Sequence, residues 1–226
     1  MSRLLVAVVV LSLSVWTTPA FAEKPAGERN PGVVTGIEGT VTAVNGPASH
    51  PRPLRGGDVL QPGDEVRGTV SSRIEVLWNS RAVFSMQGES GLRLLEPVGG
   101  QMLVQLLTGQ ARIAYSYNEG RPSDTMAIIL PDARVIMRGG ILEVSVTSSG
   151  EIIRMVEGQT SIEPVSGPAK PVLLKAGQEV ELRAGRAGVP HPSTATMQPS
   201  LVAMEHHRAV PSWRDPAWLC KLRLNH

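Results

Sequence analysis

The chain has little of three things on which many binding sites depend: cysteine, aromatic side chains and an excess of one charge. Cys220 is the single cysteine among 226 residues, which excludes an internal disulfide and a zinc site built from cysteine pairs. Aromatic residues make up 4% of the chain, so stacking platforms for bases or sugars are scarce. With 22 basic and 20 acidic residues, the formal charge of +2 leaves no basic footprint for nucleic acid.

One apolar run stands out, and it lies at the N-terminus. Arg3 precedes the apolar stretch Leu4 to Val15, and Ala20-Phe21-Ala22 follows. This order of charge, apolar run and small residues is typical of a secretory signal peptide. The run is shorter than the roughly 20 residues that a membrane-spanning helix needs. We therefore expect cleavage after Ala22 and export to the periplasm of a Gram-negative bacterium, with an uncleaved anchor as the alternative.

Composition divides the remaining chain into a leader, one domain and a tail. Residues 23–32 are polar and rich in Pro and Gly, so they form a leader. Residues 33–184 alternate short β-branched runs with Gly, Pro, Asn and Asp, the pattern of many short strands. Residues 185–226 contain a Pro-rich linker and a tail in which Asp215-Pro216 begins a short helix. That helix either docks on a partner or membrane surface, or packs on its own β-domain.

Period-two patterning indicates strands with one polar face. Apolar residues alternate in two neighbouring runs, Ile74, Val76 and Trp78 followed by Ala82, Phe84 and Met86. Asn79-Ser80 between them is suited to a tight hairpin turn, since Asn tolerates positive φ. We predict a single all-β domain with Trp78 and Phe84 as core anchors.

A weak internal repeat leaves the architecture open between two forms. Gly109-Gln110, Gly158-Gln159 and Gly177-Gln178 each stand as a turn that leads into a strand. Repeated turn-and-strand units are typical of stacked coils. The fold is therefore either two twisted sheets or a short β-solenoid.

No constellation of side chains indicates catalysis, a metal or a cofactor. Asp58, Asp64 and Asp132 lie in turns, where Asp bonds backbone N–H groups, and their spacing does not match a calcium loop. Four of the five histidines, including His206-His207, lie in the tail. We expect a protein that is not an enzyme and that needs no cofactor or metal ion.

The stretch from residue 57 to residue 96 carries an ordered series of motifs. It contains Gly57-Asp58-Val59-Leu60, Gly63-Asp64-Glu65-Val66, Thr69, Ser71-Ser72, the strand Ile74 to Trp78, the turn Asn79-Ser80, the strand Ala82 to Met86 and the strand Leu92 to Leu95. Further pieces follow at Leu107-Thr108-Gly109-Gln110, Leu130-Pro131-Asp132-Ala133, Val135-Ile136-Met137-Arg138-Gly139, Val156-Glu157-Gly158 and Leu174-Lys175-Ala176-Gly177-Gln178. This order resembles the FecR domain family over residues 33–183.

The resemblance implies an extracytoplasmic all-β domain that recognises another molecule, usually a protein. Two features depart from the family: Gly140 stands where Thr is common, and a signal peptide replaces the cytoplasmic segment that controls a sigma factor. Control of a sigma factor is therefore not expected. We expect a non-catalytic recognition module for a protein partner or an envelope component, with a structural subunit of an envelope complex or a cell-wall enzyme as alternatives.

Two segments are candidates for binding through an open sheet edge. Residues 141–147 and 178–183 both alternate apolar with polar side chains. Edge addition needs only backbone hydrogen bonds, and a flat polar patch on the outer faces is the alternative way to bind. Glu143 and Glu181 on their polar faces are the candidate partner-binding residues. We expect no nucleic acid partner and no transmembrane segment after signal cleavage.

Overall fold

The computed structural model describes residues 32–46, 49–116, 124–166 and 170–193. Within these ranges the chain forms fifteen β-strands and no helix, so the predicted all-β class is confirmed. No helix that could cross a membrane occurs there. The predicted signal peptide, leader residues 23–31 and the predicted tail helix lie outside the described residues.

The strands differ widely in length. Four of them, β7, β8, β10 and β11, contain 15 to 17 residues, and the others contain seven or fewer. In chain order the strands are β1 Gly32–Glu38, β2 Val41–Asn45, β3 Arg52–Pro53, β4 Val59–Leu60, β5 Asp64–Gly68, β6 Arg73–Trp78, β7 Ala82–Val98, β8 Gln101–Tyr115, β9 Met126–Ile129, β10 Ala133–Thr147, β11 Gly150–Pro164, β12 Val172–Lys175, β13 Gln178–Arg183, β14 Arg186–Ala187 and β15 His191–Pro192.

Glycines let the long strands bend, so that the two halves of each strand pair in different parts of the sheet. Gly109 in β8 has a φ of +87°, and a Cβ there would lie 2.6 Å from the Cα of Ser90. Gly140 in β10 has a φ of +114°, and a Cβ there would lie 2.0 Å from the carbonyl oxygen of Glu157. Neither position can accept a side chain without a backbone shift. The prediction of a turn before the strand at Gly109 and Gly158 was wrong, because both glycines lie inside long strands.

The bends fold one continuous sheet into two layers. The first layer contains β1, β6, residues 82–87 of β7, 109–115 of β8, 140–147 of β10, 150–157 of β11, and β13. The second contains β2, β5, residues 91–98 of β7, 101–108 of β8, β9, residues 133–137 of β10, 159–164 of β11, and β12. All described pairings are antiparallel except that of β8 with β9. The architecture is thus a twisted two-layer sheet, because stacked solenoid coils would pair in parallel.

One apolar core lies between the layers, with an aromatic pair inside it. Trp78 and Phe84 are 1% and 0% exposed, and their ring centroids lie 5.8 Å apart. Asn79 and Ser80 both have positive φ, at 51° and 52°, and the Arg81 N–H donates to the Trp78 carbonyl at 3.1 Å. The predicted core anchors and the predicted hairpin turn are both confirmed.

The sheet extends past residue 184, the predicted end of the domain. β14 and β15 both pair with β13, with Leu182 opposite Ala187 and Glu179 opposite His191. Pro190 and Pro192, two of the prolines that suggested a linker, lie next to and in the two-residue outer strand β15. Proline is tolerated there because it need not donate to a ladder. At the other end, Gly32 already belongs to β1.

Candidate functional site

Side chains from five strands line up on the outer face of the first layer, and we call them the polar row. They are Glu38, Arg73, Gln87, Gln110 and Ser145, and each faces the next across a strand pair. Strand alternation places them there because their neighbours in sequence point into the core. At about 4.8 Å between strands, the row is roughly 19 Å long.

A cavity of about 570 Å³ lies over this row, and we call it the polar groove. The loop residues 70–72, the bend at Gly88-Glu89 and Thr147 form its walls. On its floor, Gln87 Nε2 donates to Gln110 Oε1 at 3.0 Å, and Arg73 pairs with Glu38 at 3.2 Å. The groove therefore offers amides, hydroxyl groups and one ion pair, and its described lining contains no aromatic residue.

A second line of side chains runs beside the polar row, and we call it the arginine–glutamate row. It consists of Arg112, Glu143, Arg154 and Glu179 on β8, β10, β11 and β13. Glu143 accepts from Arg112 Nη1 at 2.7 Å and from Arg154 Nη1 at 3.0 Å. Arg154 Nη2 also donates to Glu179 at 3.0 Å. Charges alternate along the row, so each carboxylate lies between cationic or donor groups.

The end of this row is held by Ser193, the last described residue. Its hydroxyl donates to Glu179 Oε2 at 2.8 Å. Burial alone would raise the pKa of Glu179, but the Ser193 hydroxyl and the Arg154 guanidinium outweigh it and hold the pKa below its usual value. Glu179 is therefore an ionised structural group, because a carboxylate held in this way is a poor proton acceptor.

The two predicted partner-binding residues have very different surroundings. Glu143 is 6% exposed and lies between two arginines, so little of it is open to another molecule. The side chain of Glu181 is 49% exposed and lies near Arg183 at 3.0 Å. It continues the polar row, because Ser145 lies opposite Ile152 and Ile152 opposite Glu181. A partner contact at Glu181 stays a prediction.

The prediction that these glutamates lie on open edges was wrong. Residues 141–147 of β10 pair with β8 on one side and with β11 on the other. Residues 178–183 form β13, which pairs with β11 and is flanked on its far side by β14 and β15. A polar face had suggested an edge, but here it only shows that one face of an internal strand points outward.

Two of the three turn aspartates act as predicted. The Asp58 carboxylate accepts the Arg55 N–H at 2.9 Å, and the Asp64 carboxylate accepts the Gln61 N–H at 2.9 Å. Each Asp closes a turn that begins three residues earlier. Among the described residues, no group of three or more His, Cys, Asp or Glu side chains is placed to hold a metal ion.

Sequence reasoning missed Glu151, a carboxyl group that faces the core. It is 2% exposed, and its Oε1 accepts the backbone N–H of Asp132 at 2.6 Å. Burial raises the pKa of Glu151 to about 7; the Asp132 N–H opposes this rise and the Asp132 carboxylate adds to it. The signal was present, because Glu151 is in phase with the buried Ile153 and Met155.

The comparisons with known proteins show the fold. A crystal structure at 1.65 Å, provisionally assigned as an anti-sigma factor from Parabacteroides distasonis, matches with a TM-score of 0.50 at 14% identity, over 62% of this chain and 63% of that chain. A second, at 2.50 Å and with the same assignment, gives a TM-score of 0.48 at 15% identity, over 57% and 59%. The chain thus spans less than two thirds of the length of either neighbour. No family model matches the chain. No curated protein matches it either.

Proposed function

We propose that this chain is an exported, non-catalytic recognition domain of the FecR type that binds a segment of a protein partner in the polar groove. The observation that carries the proposal is the groove itself, a cavity of about 570 Å³ whose floor is supplied by five paired strands. A floor built on strands is held in place by the sheet ladder, so its side chains are positioned before a ligand arrives.

The lining favours a polypeptide as the ligand. An extended chain advances about 3.3 Å per residue, so roughly 19 Å of floor matches about six residues. The amide of Gln110 and the hydroxyl of Ser145 can donate and accept, as a peptide backbone requires. Glu181 prolongs the row beyond Ser145, and we assign it a contact with the same partner.

The fold supports a role related to signalling. A crystal structure provisionally assigned as an anti-sigma factor shares the fold over 62% of this chain, with a TM-score of 0.50. The motifs that resemble FecR also fall where their chemistry is needed. Asp58 and Asp64 close turns, and Gly109 occupies a bend that excludes a side chain.

A non-catalytic function is consistent with the state of the charged groups near the groove. Glu143 and Glu179 are both engaged by arginines, and the pKa of Glu179 is held below its usual value. Glu151, which has the raised pKa, faces the core. Glu38 and Glu89 line the groove, and Glu38 is paired with Arg73. A recognition function needs no reacting group, whereas a hydrolase would need a nucleophile or two carboxyl groups placed on either side of the bond that is cut.

Site-specific cross-linking in cells tests this proposal. A photo-reactive residue at Gln110 places the probe in the groove, and one at Thr108 places the same probe on the same strand outside the groove lining. We expect one reproducible envelope protein to be captured from Gln110 and not from Thr108. Equal capture from both positions would contradict a groove-specific partner. No capture, together with hydrolysis of peptidoglycan by the purified protein, would support an enzyme instead.

Export is tested separately by the intact mass of the protein from the periplasmic fraction. We propose that the mature chain begins after Ala22, because the N-terminus has the order of a signal peptide. A mass that retains residues 1–22 would contradict cleavage.

A further inference from the structure

The Glu151 side chain connects the two layers of the fold. It lies on the second residue of β11, in the first layer. Its Oε1 accepts the N–H of Asp132 in the turn that joins β9 to β10, and both of those strands lie in the second layer at that point. Its Oε2 is buried and has no hydrogen-bond partner. A single carboxyl group thus bridges the layers with half of its hydrogen-bonding capacity unused.

The same residue lies directly behind a wall of the polar groove. Glu151 is opposite Val146 in the β10–β11 ladder, and Val146 and Thr147 both line the groove. The hairpin that carries these residues turns between Thr147 and Gly150. A change that weakens the hydrogen bond between Glu151 and Asp132 therefore acts on the β10–β11 hairpin at the edge of the groove.

The ionised form of Glu151 is poorly stabilised by its surroundings. Among the described residues, the charged side chain that acts on Glu151 is that of Asp132 in the turn, and its negative charge opposes ionisation of Glu151. The other charged side chains of β10 and β13 lie on their outer faces: Arg134, Arg138, Glu143, Glu179, Glu181 and Arg183. No cation offsets an ionised Glu151 in the described core, so ionisation is opposed by burial.

We infer that Glu151 is a protonation-sensitive tie between the layers that controls how firmly the β10–β11 hairpin closes the polar groove. The inference rests on the proposed function for the identity of the molecule that the groove binds, and the tie itself does not depend on it. In the folded protein the pKa of about 7 lies above the ordinary value of 4.5. At a pH between 4.5 and about 7, Glu151 keeps its proton while the hairpin is closed and releases it when the hairpin opens. Closure of the hairpin therefore becomes less stable as the pH rises through this window, and it stays less stable above it.

Hydrogen exchange of the hairpin in the full mature chain tests the tie without any ligand. Three proteins are compared between pH 5 and pH 8.5: wild type, Glu151→Gln, which keeps an acceptor oxygen but cannot ionise, and Glu181→Gln, which removes the same charge from an exposed site. Taking ratios between proteins at each pH removes the intrinsic pH dependence of exchange. We expect the hairpin opening of wild type relative to Glu151→Gln to increase with pH, up to a ceiling of about 300-fold. Glu181→Gln should show the same pH dependence of hairpin opening as wild type.

A wild-type to Glu151→Gln ratio that is flat across this range would overturn the inference. The inference would also be overturned if the pH dependence of hairpin opening in Glu181→Gln differed from that of wild type as much as it does in Glu151→Gln. If Glu151→Gln does not fold, carbon-detected NMR titration of the wild-type carboxyl group decides: a midpoint near 7 supports the tie, and a midpoint near the ordinary value of 4.5 overturns it.

Cross-linking from Gln110 keeps the two proposals distinguishable. Capture of a partner without a pH-dependent hairpin would overturn the tie and leave recognition standing. A pH-dependent hairpin without capture would leave the tie standing and count against the polar groove as the recognition site.

Discussion

Replacing Glu143 by Ala removes the centre of the arginine–glutamate row, and we expect a large loss of stability. The side chain of Glu143 is 8% exposed, and its two oxygens accept from Arg112 at 2.7 Å and from Arg154 at 3.0 Å. Removing one partner from a buried ion pair typically costs about 3–5 kcal/mol, because the remaining charge stays desolvated. Since Arg154 keeps its bond to Glu179, we expect the lower end of this range, about 3 kcal/mol.

The matched control is Glu181→Ala on β13, which β11 separates from the strand of Glu143. Glu181 also pairs with an arginine, Arg183 at 3.0 Å, but both side chains are largely exposed. Such a pair contributes about 0–1 kcal/mol, and salt screens it. The two variants therefore remove the same chemical group from opposite environments.

Urea unfolding of the mature chain at low and high salt measures both effects. We expect the Glu143→Ala loss in the free energy of unfolding to persist at high salt, and the Glu181→Ala loss to be small and to shrink. A Glu143→Ala variant within about 1 kcal/mol of wild type would refute the reasoning, because it would mean that solvent already stabilises these charges.

Three further predictions concern the core, the turn and the domain boundary. Trp78→Ala should lower the free energy of unfolding by about 3–5 kcal/mol, measured by urea titration, because the indole is fully buried; an unchanged midpoint would contradict the strand register. Asn79→Gly should be tolerated, whereas Asn79→Ala should cost about 1 kcal/mol in the same assay, because φ is +51° at this position; equal stabilities would contradict the turn geometry. A chain ending at Ser193 should melt near the temperature of the mature chain, and one ending at Gly185 should melt lower, because it lacks β14, β15 and the Ser193 bond to Glu179. Identical melting curves would instead place the boundary near residue 184.

The sequence predicted well wherever the signal was local. Alternation at Ile74, Val76 and Trp78 predicted which side chains enter the core, and Asn79-Ser80 predicted the hairpin. Alternation also contained the signal for Glu151, which shares the phase of Ile153. It was missed because a glutamate is expected to face water, although a single buried carboxyl group is tolerated when it is hydrogen-bonded and can take up a proton.

Edges and bends were beyond local reasoning. Residues 141–147 have the polar face that an edge strand would have, yet they pair on both sides. Whether a strand has a second neighbour depends on chain segments elsewhere, and its own residues look alike in both cases. Gly109 showed the same limit, since a glycine with positive φ serves equally well in a turn between strands and in a bend within one.

The sequence by itself determined the class of fold, the inward-facing residues and the tight turns, because strand alternation and turn chemistry act over a few residues. The tertiary structure alone decided the arginine–glutamate row and the polar groove. The bonds of the row join positions 31, 11 and 25 residues apart. Such residues meet only after the register of every intervening strand pair is set, and a shift of one residue would turn each side chain to the opposite face.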